Sequence, residues 1–340
     1  MHIGIASPFI PRALVDFLYE EDRLVALEVS RDQGAPGVQD VAAELLRRGA
    51  RLSIYTDWPD VPKDMVLKGN NLTIHLIKKR RIAKLMALDH FRSEIKRLRR
   101  AISSDSPDIL HARWTYEYAL ASKGMNIPTV ITIEDWAPAI LKLFHNFYRL
   151  CRFFMDYRVF KTCREAQFIS NSPYIQENVL KRWGMDTPIV PNAVNSAFIH
   201  EPRQYPKSNS PVIVSIAQRP DPWKNIEKLL EAFKIIQQRF PDAKLKLIGG
   251  GFVSDSTFYS EMKSRNLTDN VEFSGHYKTE ELVEELKHAH LMIHPSLEES
   301  FGISFIEAMA SGLPVIGGDS SGAVPWVLNY GKAGTLCDVT

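Results

Sequence analysis

Residues 291–316, LMIHPSLEESFGISFIEAMASGLPVI, constrain the fold of this chain more than any other stretch. A short β-prone run, LMIHPS, passes through a loop into a helical run, ISFIEAMASG, that ends at Gly312, and Pro314 precedes a second β-prone run. Strand, helix and strand in such close succession build a parallel sheet with helices on its faces. The same alternation of short β-rich runs and longer amphipathic stretches recurs along both halves.

In the first half the expected strands are 2–6, 51–56, 71–77, 108–112, 128–133, 167–170 and 188–190. In the second they are 211–216, 244–248, 271–273, 291–294, 313–317 and 335–337. Helices fit at 38–49, 86–101, 115–123, 138–162, 173–183, 225–239, 279–289 and 302–311. A chain of 340 residues exceeds one ordinary core and suits two domains of about 150–170 residues. The stretch 191–210, rich in Pro, Asn and Ser and without periodicity, is expected to connect a domain of residues 1–190 to one of residues 211–340. The expected fold class is therefore α/β, with two doubly wound parallel-sheet domains. Ligands bind beyond the carboxyl ends of such strands, so site residues are sought in the loops that follow them.

The apolar fraction of 45% excludes wholesale disorder. Cys151, Cys163 and Cys337 are too few and too scattered for a disulfide framework or a thiolate metal site, which fits a reducing compartment. The opening MHIGIASPFI has no basic flank and reads as a first strand rather than an export signal. No stretch approaches the roughly 20 apolar residues of a membrane span. Charge is uneven: residues 1–190 carry 28 Lys/Arg against 22 Asp/Glu, and residues 191–340 carry 14 against 18.

In the 291–316 unit, Glu299 sits in the loop and Glu307 on the helix. Amides of Phe301, Gly302 and Ile303 at the helix start suit a phosphate or sugar hydroxyl, and Glu307 suits a ribose diol. On spacing alone, Glu299 reads equally well as a helix-start acid and Glu307 as a solvated residue. Arg219 and Lys224 lie between a strand and a helix, where a guanidinium fork and a point charge suit two phosphates; a surface loop between Pro220 and Pro222 is the plain alternative. Gly249, Gly250 and Gly251 follow a strand, a weak signal for close backbone approach. The chain has no Asp-x-Asp, no His-Glu-x-x-His and no clustered Cys/His spacing, so no metal is expected.

PSLEESFGISFIEAMASGLPVI resembles the diagnostic stretch of GT-B-fold glycosyltransferases, in particular the retaining enzymes of glycosyltransferase family 4, with Glu299 and Glu307 as its glutamate pair. PNAVNSAFI, SIAQRPDPWKNIEKLLEAF, LIGGG and EFSGHYKTEELVEELKHAHLMIHPS extend the resemblance over 191–340. Ala193 and Asn195 stand where the family usually has glycine and aspartate. The resemblance implies two Rossmann-like domains facing each other across a cleft, an acceptor-binding first domain, and a donor-binding second domain that lacks its terminal helices. It implies a donor held as a UDP- or GDP-sugar, with no tightly bound cofactor. It assigns Glu299 to the transferred sugar, Glu307 to the ribose, Arg219 and Lys224 to the diphosphate, and the loop around Gly250 to the base.

In the first half, GAPGVQDVAAELLRRGARLSIYT resembles the family's opening glycine loop, with Gly34 and Gly37 as candidates to approach the diphosphate, or as a plain tight turn. His111 reads as packed, and Trp114 as either a sugar platform or core. Glu134-Asp135 stands where many members have His-Asp, which makes both carboxylates secondary catalytic candidates.

Residues 78–100 hold ten Lys/Arg against two acids. With Ile82, Leu85, Met86, Leu88 and Phe91 entering the interface, and 144–161 in support, the run is expected to touch anionic membrane; packing of the apolar positions on the sheet is the alternative. No base-reading motif accompanies the basic charge, so no nucleic-acid partner is expected. The functional expectation is a cytoplasmic hexosyltransferase, peripheral on the inner membrane face, that transfers sugar to a glycan or lipid-linked acceptor in surface polysaccharide or lipopolysaccharide assembly. A nucleotide-sugar epimerase or hydrolase of the same fold, and a non-enzymatic sugar-binding protein, are the alternatives. The sequence does not address oligomeric state.

Overall fold

The computed structural model describes residues 1–29, 37–59, 61–199 and 210–340, which form two compact units, Met1–Ala193 and Val194–Thr340. Gly34 and residues 200–209 of the expected connector lie outside the described residues.

The first unit runs β1 (His2–Ala6), α1 (Glu20–Val29), α2 (Val38–Arg47), β2 (Arg51–Trp58), β3 (Met65–Gly69), β4 (Leu72–Lys78), α3 (Ala83–Leu88) and α4 (Arg92–Asp105). It continues with β5 (Ile109–Arg113), α5 (Glu117–Ser122), β6 (Thr129–Ile133), α6 (Ala137–Leu143), α7 (Phe147–Thr162), β7 (Gln167–Ser170) and α8 (Pro173–Trp183). Its sheet has the order β3-β4-β2-β1-β5-β6-β7 and is parallel apart from β3, which pairs antiparallel with β4.

The second unit runs β8 (Val212–Ile216), α9 (Ile226–Arg239), β9 (Lys244–Ile248), α10 (Thr257–Ser264), β10 (Val271–Gly275) and α11 (Thr279–His288). Then follow β11 (Leu291–His294), α12 (Ile303–Ala310), β12 (Val315–Gly318), α13 (Val324–Val327) and β13 (Thr335–Cys337). Its sheet, β10-β9-β8-β11-β12-β13, is parallel throughout. Ile213, Val214, Leu245, Leu247 and Met292 are all nearly inaccessible, because helices cover both faces; this is why β8 and β11 read as apolar runs, whereas β9, KLKLI, alternates lysine with leucine. Both units are thus Rossmann-like.

Local chemistry sets the element ends. Ser172 Oγ accepts the Ile175 N–H, Pro173 occupies the first helical position, and Gly184 closes α8 at φ 64° with its N–H on the Leu180 carbonyl. The same chemistry corrects several sequence expectations. The helix expected over 138–162 is two helices, because Asn146 caps the Arg149 N–H and starts α7 afresh. That expected over 86–101 breaks at His90 and Phe91, both at positive φ, so α3 ends before α4 begins. The expected strand 188–190 is a single bridge between Ser170 and Ile189. Unforeseen elements are α1, whose Leu24 and Leu27 are exposed and give no clean apolar stripe, the short helices α10 and α13, and the edge strand β3.

Candidate functional site

In the second unit the chain order reverses between β8 and β11, so the crevice beyond their carboxyl ends is the place where an open parallel sheet takes a ligand. The loop after β8 forms a tight turn at Pro222–Lys224, closed by Asn225 at φ 53°. The Trp223 carbonyl accepts the Leu297 N–H at 2.7 Å and Ser296 Oγ at 3.3 Å, which straps this turn to the loop after β11. Lys224 Nζ is thereby brought into a close ion pair with Glu299 Oε1.

His294, the last residue of β11, is 1% exposed, and its Nε2 lies 3.0 Å from the same Glu299 oxygen. Burial pushes the Glu299 carboxyl up, but the Lys224 charge and the His294 hydrogen bond outweigh it and hold it well below the usual carboxylate range. Burial lowers the His294 imidazole, although Glu299 opposes this. The neutral ring therefore carries its proton on Nε2 and donates it to the carboxylate. Nδ1 is buried without a hydrogen-bond partner. Because Lys224 and His294 both take Oε1, Oε2 is left without a protein partner among the described residues. That oxygen can accept a hydroxyl.

The backbone of Glu299 is held from the other side. Its carbonyl accepts the Ala323 N–H at 2.8 Å, and a Cβ on Gly322, at φ 61°, would lie 2.3 Å from that carbonyl oxygen. Phe301 is buried edge-to-face against Trp326. Gly302 precedes α12 at φ 93°, where a Cβ would meet the Phe305 ring at 2.9 Å. Ile303 and Ser304 are first-turn amides of α12 with no acceptor inside the helix. Glu307 is half-buried one turn further on, and its carbonyl accepts the Ser311 N–H.

Arg219 stands apart from this cluster: its side chain is exposed, with Asp221 at 4.0 Å. Gly249 and Gly251 are required by packing, since a Cβ would lie 1.8 Å from the Ala217 carbonyl oxygen at the first and 2.8 Å from the Arg219 Cα at the second. Gly250 is exposed, and its nearest atom to a Cβ is His276 Cβ at 3.9 Å.

In the first unit, Gly37 precedes α2 at φ 83°, and a Cβ there would sit 3.2 Å from the Ala193 carbonyl oxygen. Glu134 follows β6 and is bound by the Arg113 guanidinium, at 2.7 Å from Nε and 2.5 Å from Nη2. Asn192 Nδ2 reaches its second oxygen at 3.3 Å. Asp135 accepts the Tyr116 hydroxyl at 2.8 Å, and burial raises its carboxyl. His111 is bonded to Thr132 Oγ1 at 2.6 Å and pushed down to about 4 by burial, then by the Arg113 charge. Trp114 packs on the core at φ 70°.

His294, Arg113 and Gly322 were not singled out from the sequence. The signal for His294 was a polar residue inside the apolar run LMIHPS; Arg113 closes a strand in the same way. Among the described residues, no group of three His, Cys, Asp or Glu side chains converges.

Residues 36–198 match the family described as Glycosyltransferase Family 4, and residues 198–340 match Glycosyl transferases group 1. N-acetyl-alpha-D-glucosaminyl L-malate synthase of Bacillus anthracis is 38% identical over 117 residues, 34% of this chain and 29% of that protein. A GDP-mannose-dependent alpha-(1-6)-phosphatidylinositol monomannoside mannosyltransferase of Mycolicibacterium smegmatis is 31% identical over 40% of this chain and 37% of its own length. The chain thus matches less than two fifths of either relative. The sucrose-phosphate synthase of Thermosynechococcus elongatus superposes with a TM-score of 0.74 at 18% identity, over 100% of this chain and 86% of the other.

Proposed function

Since the chain belongs to the GT-B-fold glycosyltransferases, we propose that it moves a hexosyl unit from a UDP- or GDP-sugar to a glycan or lipid-linked acceptor, with the anomeric configuration retained. The observation that carries this reading is the Lys224–Glu299–His294 cluster at the strand reversal of the second sheet.

In this reading Glu299 Oε2 accepts a hydroxyl of the donor sugar, while Glu307 holds the ribose diol. Lys224, Arg219 and the amides of Ile303 and Ser304 stabilise the departing diphosphate, the role that preorganised donors serve where charge develops. The bond from C1 to the diphosphate breaks, the acceptor oxygen bonds C1 on the same face, and the acceptor proton passes to the leaving phosphate. Because these groups already supply positive charge, turnover is expected to persist in chelator. Glu134 and Asp135, engaged by Arg113 and Tyr116, are orienting groups here rather than free bases.

The acceptor reading includes peripheral contact with anionic membrane in surface polysaccharide or lipopolysaccharide assembly, on the cytoplasmic side. Ile82, Leu85 and Leu88 are exposed on and beside α3, which supports it; Met86 and Phe91, expected in the same interface, are instead core residues. No helix among the described residues is long and apolar enough to cross a membrane.

The test is incubation with a panel of UDP- and GDP-sugars, with and without lipid-linked acceptors, reading free nucleotide and the anomer of the product. Nucleotide release that requires acceptor supports transfer. Release without acceptor identifies a hydrolase or epimerase, and donor binding without release identifies a sugar-binding protein.

A further inference from the structure

The basic run of the first unit is divided by the fold. While α3 turns apolar side chains outward, α4 places Ser93, Lys96, Arg97 and Arg100 along one face, at the i, i+3, i+4 and i+7 positions. That face, the end of β4 at Lys78, and the segment Pro62, Lys63 and Asp64 line an open cavity of about 620 Å³. Its lining holds five cations against one carboxylate.

The carboxylate is already committed. Asp64 Oδ1 accepts Arg97 Nη1 at 2.9 Å and the Lys78 N–H at 2.9 Å, while Lys78 Nζ donates to the Pro62 carbonyl at 2.8 Å. These bonds fix the wall of the cavity. Lys63, Lys96 and Arg100 make no ion pair or hydrogen bond among the described residues, although each lines the same space. Three unneutralised cations around one concavity repel one another, and an anion that bridges them relieves that repulsion. A guanidinium fork together with two ammonium groups matches the several oxygens of a phosphate. The cavity opens beside β4, two strands from the β1–β5 reversal where this sheet would take a ligand in its crevice. It is thus a separate place on the same unit.

We propose that this cavity binds a phosphate group, either on a lipid headgroup or on a soluble phosphorylated ligand, and that under the transferase reading it holds the phosphate-bearing part of the acceptor. The full chain is tested by calorimetry with inorganic phosphate and pyrophosphate. In a second arm it is sedimented with vesicles of phosphatidylcholine, with or without phosphatidylglycerol. The variant K63A/K96A/R100A removes only side chains without partners, so its fold is expected to stand. A charge-matched control, K234A/K263A/K332A, lies in the second unit.

The expected result is that the cavity variant loses about tenfold or more in affinity, since one charge-assisted contact accounts for roughly that factor, while the control binds as the parent chain does. Loss in the soluble arm identifies a free phosphate ligand, and loss confined to the anionic vesicles identifies a headgroup. No binding by the parent chain in either arm overturns the proposal, as does equal weakening of the control. Nucleotide release is measured in parallel. Phosphate binding lost in the cavity variant, by a chain that turns over no donor, would sink the transferase reading and leave this site standing.

Discussion

At the scale of single residues, the function depends on how one carboxylate is held. Spacing left Glu299 and Lys224 open, and it was the resemblance to the family's motifs that picked out both. Their partnership was not legible, since 75 residues separate them, and it follows from the β8–β11 pairing and the Trp223 strap that set the two loops side by side. His294 was harder still: within an apolar run, its side chain gives no periodic signal until the sheet shows where it points. Its place suggests a positioning role, acting through Glu299 and not on the sugar. His294→Phe keeps a ring against Phe305 but deletes the donor, whereas His294→Gln restores an amide N–H near the position of Nε2. Turnover of the phenylalanine variant is expected to fall by about 10- to 100-fold, the worth of roughly 1.5–3 kcal/mol for a charge-assisted hydrogen bond. Nucleotide affinity should hold, and the glutamine variant should recover most of the rate. A phenylalanine variant as fast as the parent removes His294 from the site.

At the scale of elements, the parallel core of both sheets was readable because doubly covered strands are apolar runs, with turn residues between them. What escaped were features decided by contacts distant in sequence. Strand β3 exists as the antiparallel partner of β4, and α7 begins where the Asn146 side chain captures an N–H. The loop after β9 shows the same limit: its three glycines look alike in sequence and differ in the structure. Gly249→Ala must force a side chain into the Ala217 carbonyl at positive φ, and destabilisation of about 2–4 kcal/mol is expected. Gly250→Ala meets no more than an ordinary van der Waals contact, with His276 Cβ at 3.9 Å, so its unfolding midpoint should match the parent's. If the nucleotide base lies by this loop, Gly250→Ala weakens nucleotide binding without loss of stability. Denaturant titration and calorimetry on the two variants separate packing from recognition, and unchanged affinity in the alanine-250 protein would place the base elsewhere.

At the scale of the whole molecule, the two units bury different chemistry. Asp57, Glu94, Arg113, Glu117, Arg152 and Asp156 are buried in the first, whereas His294 is the buried ionisable residue of the second among the described residues. Solution pH should therefore act chiefly on the first unit and nucleotide on the second. Asp156 is pushed up to about 8, mainly by burial; the Thr115 hydroxyl opposes this, the Asp135 charge adds to it, and Arg182 and Arg152 pull back. In the unfolded chain an aspartate ionises near 4, so between about 4 and 8 the native state binds the extra proton. Stability consequently falls as pH rises through that window, by up to about 1.4 kcal/mol per unit from this residue, and levels above it. Asp156→Asn keeps an acceptor for Thr115 and has no proton to lose, so its first-unit stability should fall less between pH 5 and pH 8 than the parent's, window limits set by that same linkage. Saturating UDP or GDP, at roughly 100 times the dissociation constant, should instead add about 2.7 kcal/mol to the second unit and raise its midpoint by about 5–10 °C. Scanning calorimetry of both proteins at the two pH values, with and without nucleotide, reads both effects together. Independent action predicts that the asparagine substitution flattens the pH response of one transition and leaves the nucleotide response of the other unchanged; a nucleotide response that disappears in the Asp156→Asn protein would mean that the units do not divide the chemistry in this way.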